Sequence, residues 1–336
     1  MQASLNNKFD ESPIHERLFR FFLNWAAIIT LALCFAIFTF FRGNSFMTQS
    51  NMINILRAMS ITTVFGIALT ITMAPNGFDM SAATLASCSA YVFVSMYLWH
   101  GLPLWLCIVI TIVATMIMYQ LTMFMILVCK VPDMLATCAM MFVHQGLGLW
   151  YIGGGAVSTG MRQPNGNPPV RTALSASFSA IGRWPWIVII MASCVLVAWF
   201  FLEFTKHGRF IYAMGGNRQA AKLSGINVTA YRYLAGMITA VFIAIGGILV
   251  SSRGSSAQVM CADSYLMPAL AAVFVGRSVG GAEKPNALGT FVGAMLVVTL
   301  ENGLTIMAVP YYMLTAVKGA VLALALIAAY AGKKEE

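Results

Sequence analysis

Charged side chains are rare within the apolar stretches of this 336-residue sequence, so each one that occurs there is a candidate for chemistry. Glu301 and Lys318 lie nine residues before and eight residues after Pro310. If the chain turns at Pro310 and returns as a second helix, both charges reach a similar depth, about 12–13 Å from the turn. We therefore predict an intramembrane ion pair between Glu301 and Lys318. The alternative role for the two side chains is contact with a solute on a path through the bundle.

A second group of polar residues stands between two apolar stretches, where residues 75–81 read PNGFDMS. Gly77 permits an irregular backbone, and Asp79 or Ser81 can accept hydrogen bonds from the first amides of the helix that follows. We predict this capping role. The alternative is a gate or coupling element at the cytoplasmic mouth of the bundle. Asn302 is a further polar residue for which gating and a structural contact are both open.

The sequence lacks the motifs that nucleotide binding, metal binding and covalent catalysis require. No GxxxxGK[ST] motif is present, so the chain does not bind ATP in the manner of P-loop proteins. The histidines are far apart and no Cys/His spacing typical of a metal site occurs; they are His15, His100, His144 and His207. The sequence shows no arrangement of a nucleophilic side chain with a catalytic base. We therefore predict that the chain is no enzyme and holds no metal or cofactor of its own.

The elements that position these residues follow from composition. The sequence is 60% apolar and 9% charged, whereas ordinary soluble domains are about 25% charged. Apolar stretches of about 20 residues, each long enough to cross a bilayer as a helix, recur along it. The predicted fold is an all-α integral membrane protein, with residues 1–336 as one transmembrane domain of about ten helices. The predicted spans are Trp25–Phe41, Ile53–Met73, Met80–Trp99, Leu104–Cys129, Met134–Ile152, Trp186–Phe204, Tyr231–Ser251, Leu266–Val279 (a short one), Leu288–Val309 and Tyr311–Ala331.

The distribution of Lys and Arg predicts the orientation of these spans. With ten spans both termini share one side, which collects thirteen Lys and Arg residues against five on the opposite side. Cytoplasmic loops carry the excess of these cations, so we predict cytoplasmic termini. The same rule accounts for the net charge of +9 without a nucleic-acid partner.

Two long loops separate the spans. Residues 153–183 are rich in proline, asparagine and glycine, a composition that predicts an irregular extracytoplasmic loop. Residues 206–230 form a cytoplasmic loop in which Gly215 and Gly216 are expected to break the chain and Asn217 to cap a short helix, Arg218 to Ser224, that ends at Gly225. This helix is either a docking element or part of a solvated connector.

The sequence of this loop resembles that of a known family. Residues 208–228, GRFIYAMGGNRQAAKLSGINV, are similar to the cytoplasmic coupling loop of ribose-type ABC sugar permeases, in the branched-chain amino acid and sugar permease superfamily. Residues 271–281, AAVFVGRSVGG, and residues 77–81, GFDMS, resemble two further family patterns, and the resemblance extends over nearly the whole chain from the second span onward. Asn76 stands where the family usually has glycine.

The resemblance implies a permease subunit of an ABC importer for a sugar or sugar-like solute in the bacterial inner membrane. Its implied partners are a separate ABC ATPase that binds ATP and Mg, an extracytoplasmic solute-binding protein, and a second permease subunit, identical or related. An ion-coupled secondary transporter of a small polar solute is the alternative. The residues implied to couple to the ATPase are Gly215, Gly216, Asn217, Arg218, Ala220, Ala221, Ser224 and Gly225.

Overall fold

The computed structural model describes residues 14–277, 279, 284–310, 312–314, 316, 317, 319, 320 and 323. Seven helices in this part are long and apolar enough to cross a membrane, which agrees with an integral membrane protein. These long helices are α1 (Ile14–Phe46), α2 (Gln49–Met73), α4 (Leu104–Leu127), α5 (Asp133–Ile152), α7 (Trp186–Phe204), α10 (Val228–Gly254) and α12 (Ala287–Ile306).

Shorter elements connect the long helices. The short helices are α3 (Ala82–Leu98), α6 (Ala176–Ile181), α8 (Lys206–Gly216), α9 (Arg218–Leu223) and α11 (Leu266–Gly276), with a 3₁₀ turn at Asp263–Tyr265. Helices α3 and α11 are apolar and match the predicted third span and the short eighth span. The predicted tenth span lies mostly outside the described residues, so the count of about ten spans stays a prediction.

Helices α2 and α10 form the centre of the bundle. In each, 78% of the apolar stretch is buried, against 22% in α4, which presents most of its surface outward. Hydroxyl groups join these central helices to their neighbours: Oγ1 of Thr70 lies 2.6 Å from that of Thr290 in α12, and Oγ1 of Thr72 lies 2.9 Å from that of Thr239 in α10. Hydroxyl pairs of this kind satisfy polar groups between membrane helices.

Close approach of backbones holds helices α11 and α12 together. A Cβ atom on Gly293 of α12 would overlap the carbonyl oxygen of Ala272 in α11. Without side chains between them, the two backbones gain van der Waals contact along their length. Helices α11 and α12 therefore behave as one packed hairpin.

The loop at residues 153–183 is more ordered than its composition predicted. Residues Ala156–Ser158 (β1) pair antiparallel with Ser256–Gln258 (β2), and α6 lies within the loop. The ring of Phe178 in α6 stacks on Phe93 with centroids 4.8 Å apart. The loop thus contains two short regular elements that its composition did not predict, although most of it is irregular. Three-residue strands depend on a distant partner strand, which local composition does not reveal.

Candidate functional site

Residues 206–230, here called the coupling segment, contain the short helix that the sequence predicted. Helix α9 begins after Asn217, whose side-chain oxygen accepts a hydrogen bond from the amide of Ala220 at 2.9 Å. Gly225 follows the helix with a φ of +82°, in the left-handed region that glycine adopts easily. The cap, the helix and its glycine end are confirmed.

The helical backbone breaks directly after Gly215 and Gly216, within one residue of the predicted position. Both glycines are the last residues of α8, an 11-residue helix that the sequence did not predict, and the backbone leaves the helical region at Asn217. Thr205 caps α8 by accepting a hydrogen bond from the amide of Gly208 at 3.1 Å. The glycines are compatible with the helix because α8 is held by tertiary packing, which overrides their low helix propensity.

A small apolar core fixes α9 on the rest of the molecule. Ala221 is buried against Met214 of α8 and Val228 of α10. Ala221 therefore faces inward rather than toward a partner, whereas Ala220, Gly216 and Gly225 are exposed. The hydroxyl of Ser224 donates a hydrogen bond to the carbonyl of Ala220 at 2.9 Å and so closes the end of α9.

The outer face of α9 combines cations with an exposed leucine. Arg218 and Lys222 are exposed, and Leu223 is 91% exposed, the highest value among the exposed large apolar side chains of the described residues. Beside this face lies a concavity of about 450 Å³, lined by Arg218, Gln219, Lys222, Ile226, Asn227, Val228 and Thr229. Residues 206–230 include no Asp or Glu, so the face is basic. It has the chemistry of a surface that receives an acidic, partly apolar partner.

Helix α8 touches the segment between α2 and α3. A Cβ atom on Gly215 would overlap the carbonyl oxygen of Ala74. The coupling segment therefore rests directly on residues 74–81, here called the polar junction, which contain the predicted Asp79 and Ser81.

Asp79 is the buried centre of the polar junction. It is 1% exposed, and its Oδ1 accepts hydrogen bonds from the backbone amide and the hydroxyl of Ser81, both at 2.8 Å. Its Oδ2 accepts a hydrogen bond from the Tyr119 hydroxyl of α4 at 3.0 Å. The carboxylate thus fixes the turn that precedes α3 and ties this turn to α4, while the predicted capping of the first amides of α3 stays a prediction. Ser81 itself makes no side-chain cap; its hydroxyl is spent on Asp79.

Asn76 explains a difference from the usual family pattern. Its φ is +61°, in the left-handed region where glycine is the ordinary choice and asparagine is among the best-tolerated alternatives. The backbone amide of Gly77 then bonds the carbonyl of Thr72 at 3.1 Å. Asparagine at this position therefore preserves the backbone turn.

The polar junction has further partners that the sequence did not single out. Asp133 of α5 accepts a hydrogen bond from the backbone amide of Phe78 at 3.3 Å and forms an ion pair with Arg232 of α10. Thr137 accepts a hydrogen bond from the amide of Met80 at 3.2 Å. One signal was present: Asp133 opens an apolar span directly after Pro132, and a charge there needs a partner.

Two of the remaining predicted residues, Asn302 and Glu301, lie on α12. Asn302 exchanges two side-chain hydrogen bonds with Asn51 of α2, each 3.0 Å long, which supports its structural alternative. Glu301 is half-buried on the same helix. Lys318 lies outside the described residues, so its pairing with Glu301 stays a prediction. Within the part of the chain that the structure describes, no three His, Cys, Asp or Glu residues cluster as metal ligands would.

Comparison with known families identifies the chain. A profile described as branched-chain amino acid transport system, permease component, matches residues 51–329, more than half of the sequence. The chain belongs to this permease family. The coupling segment and the polar junction both lie inside the matched range. No solved structure matches the chain.

Named relatives within the permease family cover nearly all of the chain. The ribose import permease protein RbsC of Haemophilus influenzae is 29% identical over 317 residues, which is 94% of this chain and 96% of the relative. RbsC of Escherichia coli K12 is 29% identical over 306 residues, covering 90% and 92%. The xylose transport system permease protein XylH of the same strain is 26% identical, covering 90% of each chain. The resemblance expected from the coupling segment is thus confirmed.

Proposed function

We propose that this chain is the permease subunit of an ABC importer for a sugar or a sugar-like solute, driven by a separate ATPase that docks on the coupling segment. The observation that carries the docking site is the exposed face of α9, where Arg218, Lys222 and Leu223 project together from a helix fixed by its own small core. ATP and Mg then belong to the ATPase, and this chain supplies the path.

The solute class follows from the relatives, which are named as ribose import and xylose transport permeases. Their similarity over nine-tenths or more of this chain favours this importer over the alternative, an ion-coupled secondary transporter. Asp79 also fits the importer better. Its carboxylate accepts hydrogen bonds from three protein donors that tie α3 to α4, which is a structural role.

The finer topology belongs to the same proposal. About ten spans with both termini in the cytoplasm place the coupling segment on the side where ATP is available. Residues 153–183 then face the outside of the bacterial inner membrane, where a solute-binding protein delivers its cargo. A second permease subunit, identical or related, completes the translocation path.

Docking on α9 can be tested by charge reversal on its exposed face. Arg218→Glu combined with Lys222→Glu should weaken binding of the ATPase, because an acidic partner then meets like charges, and Leu223→Ala should weaken it by removing the protruding apolar contact. Co-purification of the ATPase with the permease from membranes measures the effect. We expect about a tenfold loss or more, since central interface residues contribute 2 kcal/mol or more.

Arg162→Glu is the control, because Arg162 is also exposed but lies on the loop assigned to the outer side. It should leave co-purification unchanged. Normal retention of the ATPase by both α9 variants would contradict the docking assignment. Equal loss in the Arg162 variant would show that net charge, and not the α9 face, governs assembly.

A further inference from the structure

A cluster of three side chains joins the coupling segment to the start of α12. Nζ of Lys284 lies 3.0 Å from Oε1 of Glu203, at the end of α7, and 4.1 Å above the centre of the Tyr212 ring of α8. The Tyr212 hydroxyl donates a hydrogen bond to the carbonyl of Pro285 at 2.9 Å. The ends of α7 and α12 thus meet on one face of α8.

The chemistry of the cluster favours one fixed arrangement. An exposed ion pair alone contributes little, but the Lys284 ammonium group meets a carboxylate and a ring face at once, so its position is defined from two sides. Burial, and then the neighbouring Glu203 carboxylate, raise the pKa of Tyr212. Its hydroxyl therefore keeps its proton at neutral pH and remains a hydrogen-bond donor.

Beyond the cluster, the start of α12 is connected rigidly to the bundle. The side-chain amide of Asn286 donates a hydrogen bond to the carbonyl of Gly276, at the end of α11, at 3.3 Å. One turn further, Thr290 pairs with Thr70 of α2. Because α11 and α12 pack backbone against backbone at Gly293, we expect a displacement of residues 284–286 to move both helices.

We propose that Glu203, Tyr212 and Lys284 form a latch through which movement of the coupling segment is passed to α11 and α12 during transport. The latch rests on the proposed function, since a docked ATPase is what would move the coupling segment. The three residues are positioning residues, and their role requires no contact with the solute. Gly215 of α8 also contacts the polar junction. The latch is therefore a second, separate contact through which α8 passes its movement to the bundle.

The test compares nucleotide-driven changes at the two ends of the latch. The permease–ATPase complex in lipid nanodiscs is examined by hydrogen–deuterium exchange with ADP and with ATP plus orthovanadate. In the wild type, exchange should change both in α9 and over residues 284–293. Tyr212→Phe and Lys284→Gln should keep the change in α9 and reduce the change over residues 284–293 about fivefold, the effect of losing one ordinary hydrogen bond. Lys284→Arg, which keeps the cation, should respond as the wild type does.

Tyr231→Phe is the matched control. It removes a tyrosine hydroxyl close to the coupling segment, one that lies 3.3 Å from Nδ1 of His207 in α8. It should respond as the wild type does. A full response over residues 284–293 in both Tyr212→Phe and Lys284→Gln would overturn the latch while leaving the proposed function intact. No nucleotide response in α9 of the wild type would overturn the proposed function, and the latch with it.

Discussion

Asp79 carries the clearest energetic prediction at the scale of single residues. Asp79→Ala leaves the amide and hydroxyl of Ser81 and the hydroxyl of Tyr119 without their acceptor. A buried donor left unpaired costs about 1–3 kcal/mol, so we expect the free energy of unfolding to fall by about 2 kcal/mol or more. The midpoint of thermal unfolding in detergent measures the loss.

Tyr119→Phe is the graded control for Asp79, since it removes one of the three donors and leaves the other two in place. It should cost about 1 kcal/mol, clearly less than Asp79→Ala. An unfolding midpoint that does not move in Asp79→Ala would show that the polar junction does not stabilise the fold.

The predicted pair of Glu301 and Lys318 is tested by a double-mutant cycle. If the two charges pair within the membrane, Glu301→Gln and Lys318→Gln should each lower the yield of folded permease, because each leaves an uncompensated charge. The double variant should then lose less than the sum of the two. Additive losses, measured as folded protein recovered from membranes, would refute the pairing.

Residue roles were predictable from the sequence where their partners are local. The Asn217 cap of α9 uses the amide of Ala220, three positions away, and the sequence predicted it. The partners of Asp133 and Asn302 lie 99 and 251 positions away. Such contacts depend on how helices pack, and a single sequence contains no direct record of that packing.

At the scale of elements, α8 is the helix whose packing has the sharpest consequence. Gly215→Ala places a methyl group against the carbonyl of Ala74. Overpacking of this kind costs about 1–3 kcal/mol and should shift α8 away from the polar junction. ATP-driven uptake should fall about tenfold, the equivalent of 1.4 kcal/mol, while the ATPase still co-purifies because α9 is unchanged.

Gly216→Ala is the neighbouring control for α8. A Cβ atom at Gly216 has no neighbour within 4 Å, so the substitution should change stability by less than about 0.5 kcal/mol and leave uptake near the wild-type rate. Equal losses in the Gly215 and Gly216 variants would indicate a general effect on helix propensity instead of a specific contact with Ala74.

Long apolar helices were the elements that the sequence predicted well, because each needs only a run of apolar residues of sufficient length. Helix α8 was not predicted because residues 206–216 contain no long apolar run, and its close contact with Ala74 at Gly215 depends on how the helices pack. The strands β1 and β2 escaped prediction because each is three residues long and exists only through the other.

At the scale of the whole molecule, the family and the structure describe a protein that supplies a transmembrane path and receives its energy from a separate subunit. The long helices provide the transmembrane body. The coupling segment contacts this body at the polar junction through Gly215 and at the start of α12 through Tyr212, among other places. This arrangement suits a bundle that switches between two packings when a partner moves one surface element.

Uptake into reconstituted vesicles tests this account most directly. Vesicles that contain the permease, its ATPase and its binding protein are supplied with labelled ribose or xylose, with and without ATP. We predict accumulation that requires both ATP and the ATPase, that orthovanadate abolishes and that a protonophore leaves unchanged. Accumulation of either sugar in vesicles that contain this chain alone, driven by a proton or sodium gradient and insensitive to orthovanadate, would contradict it.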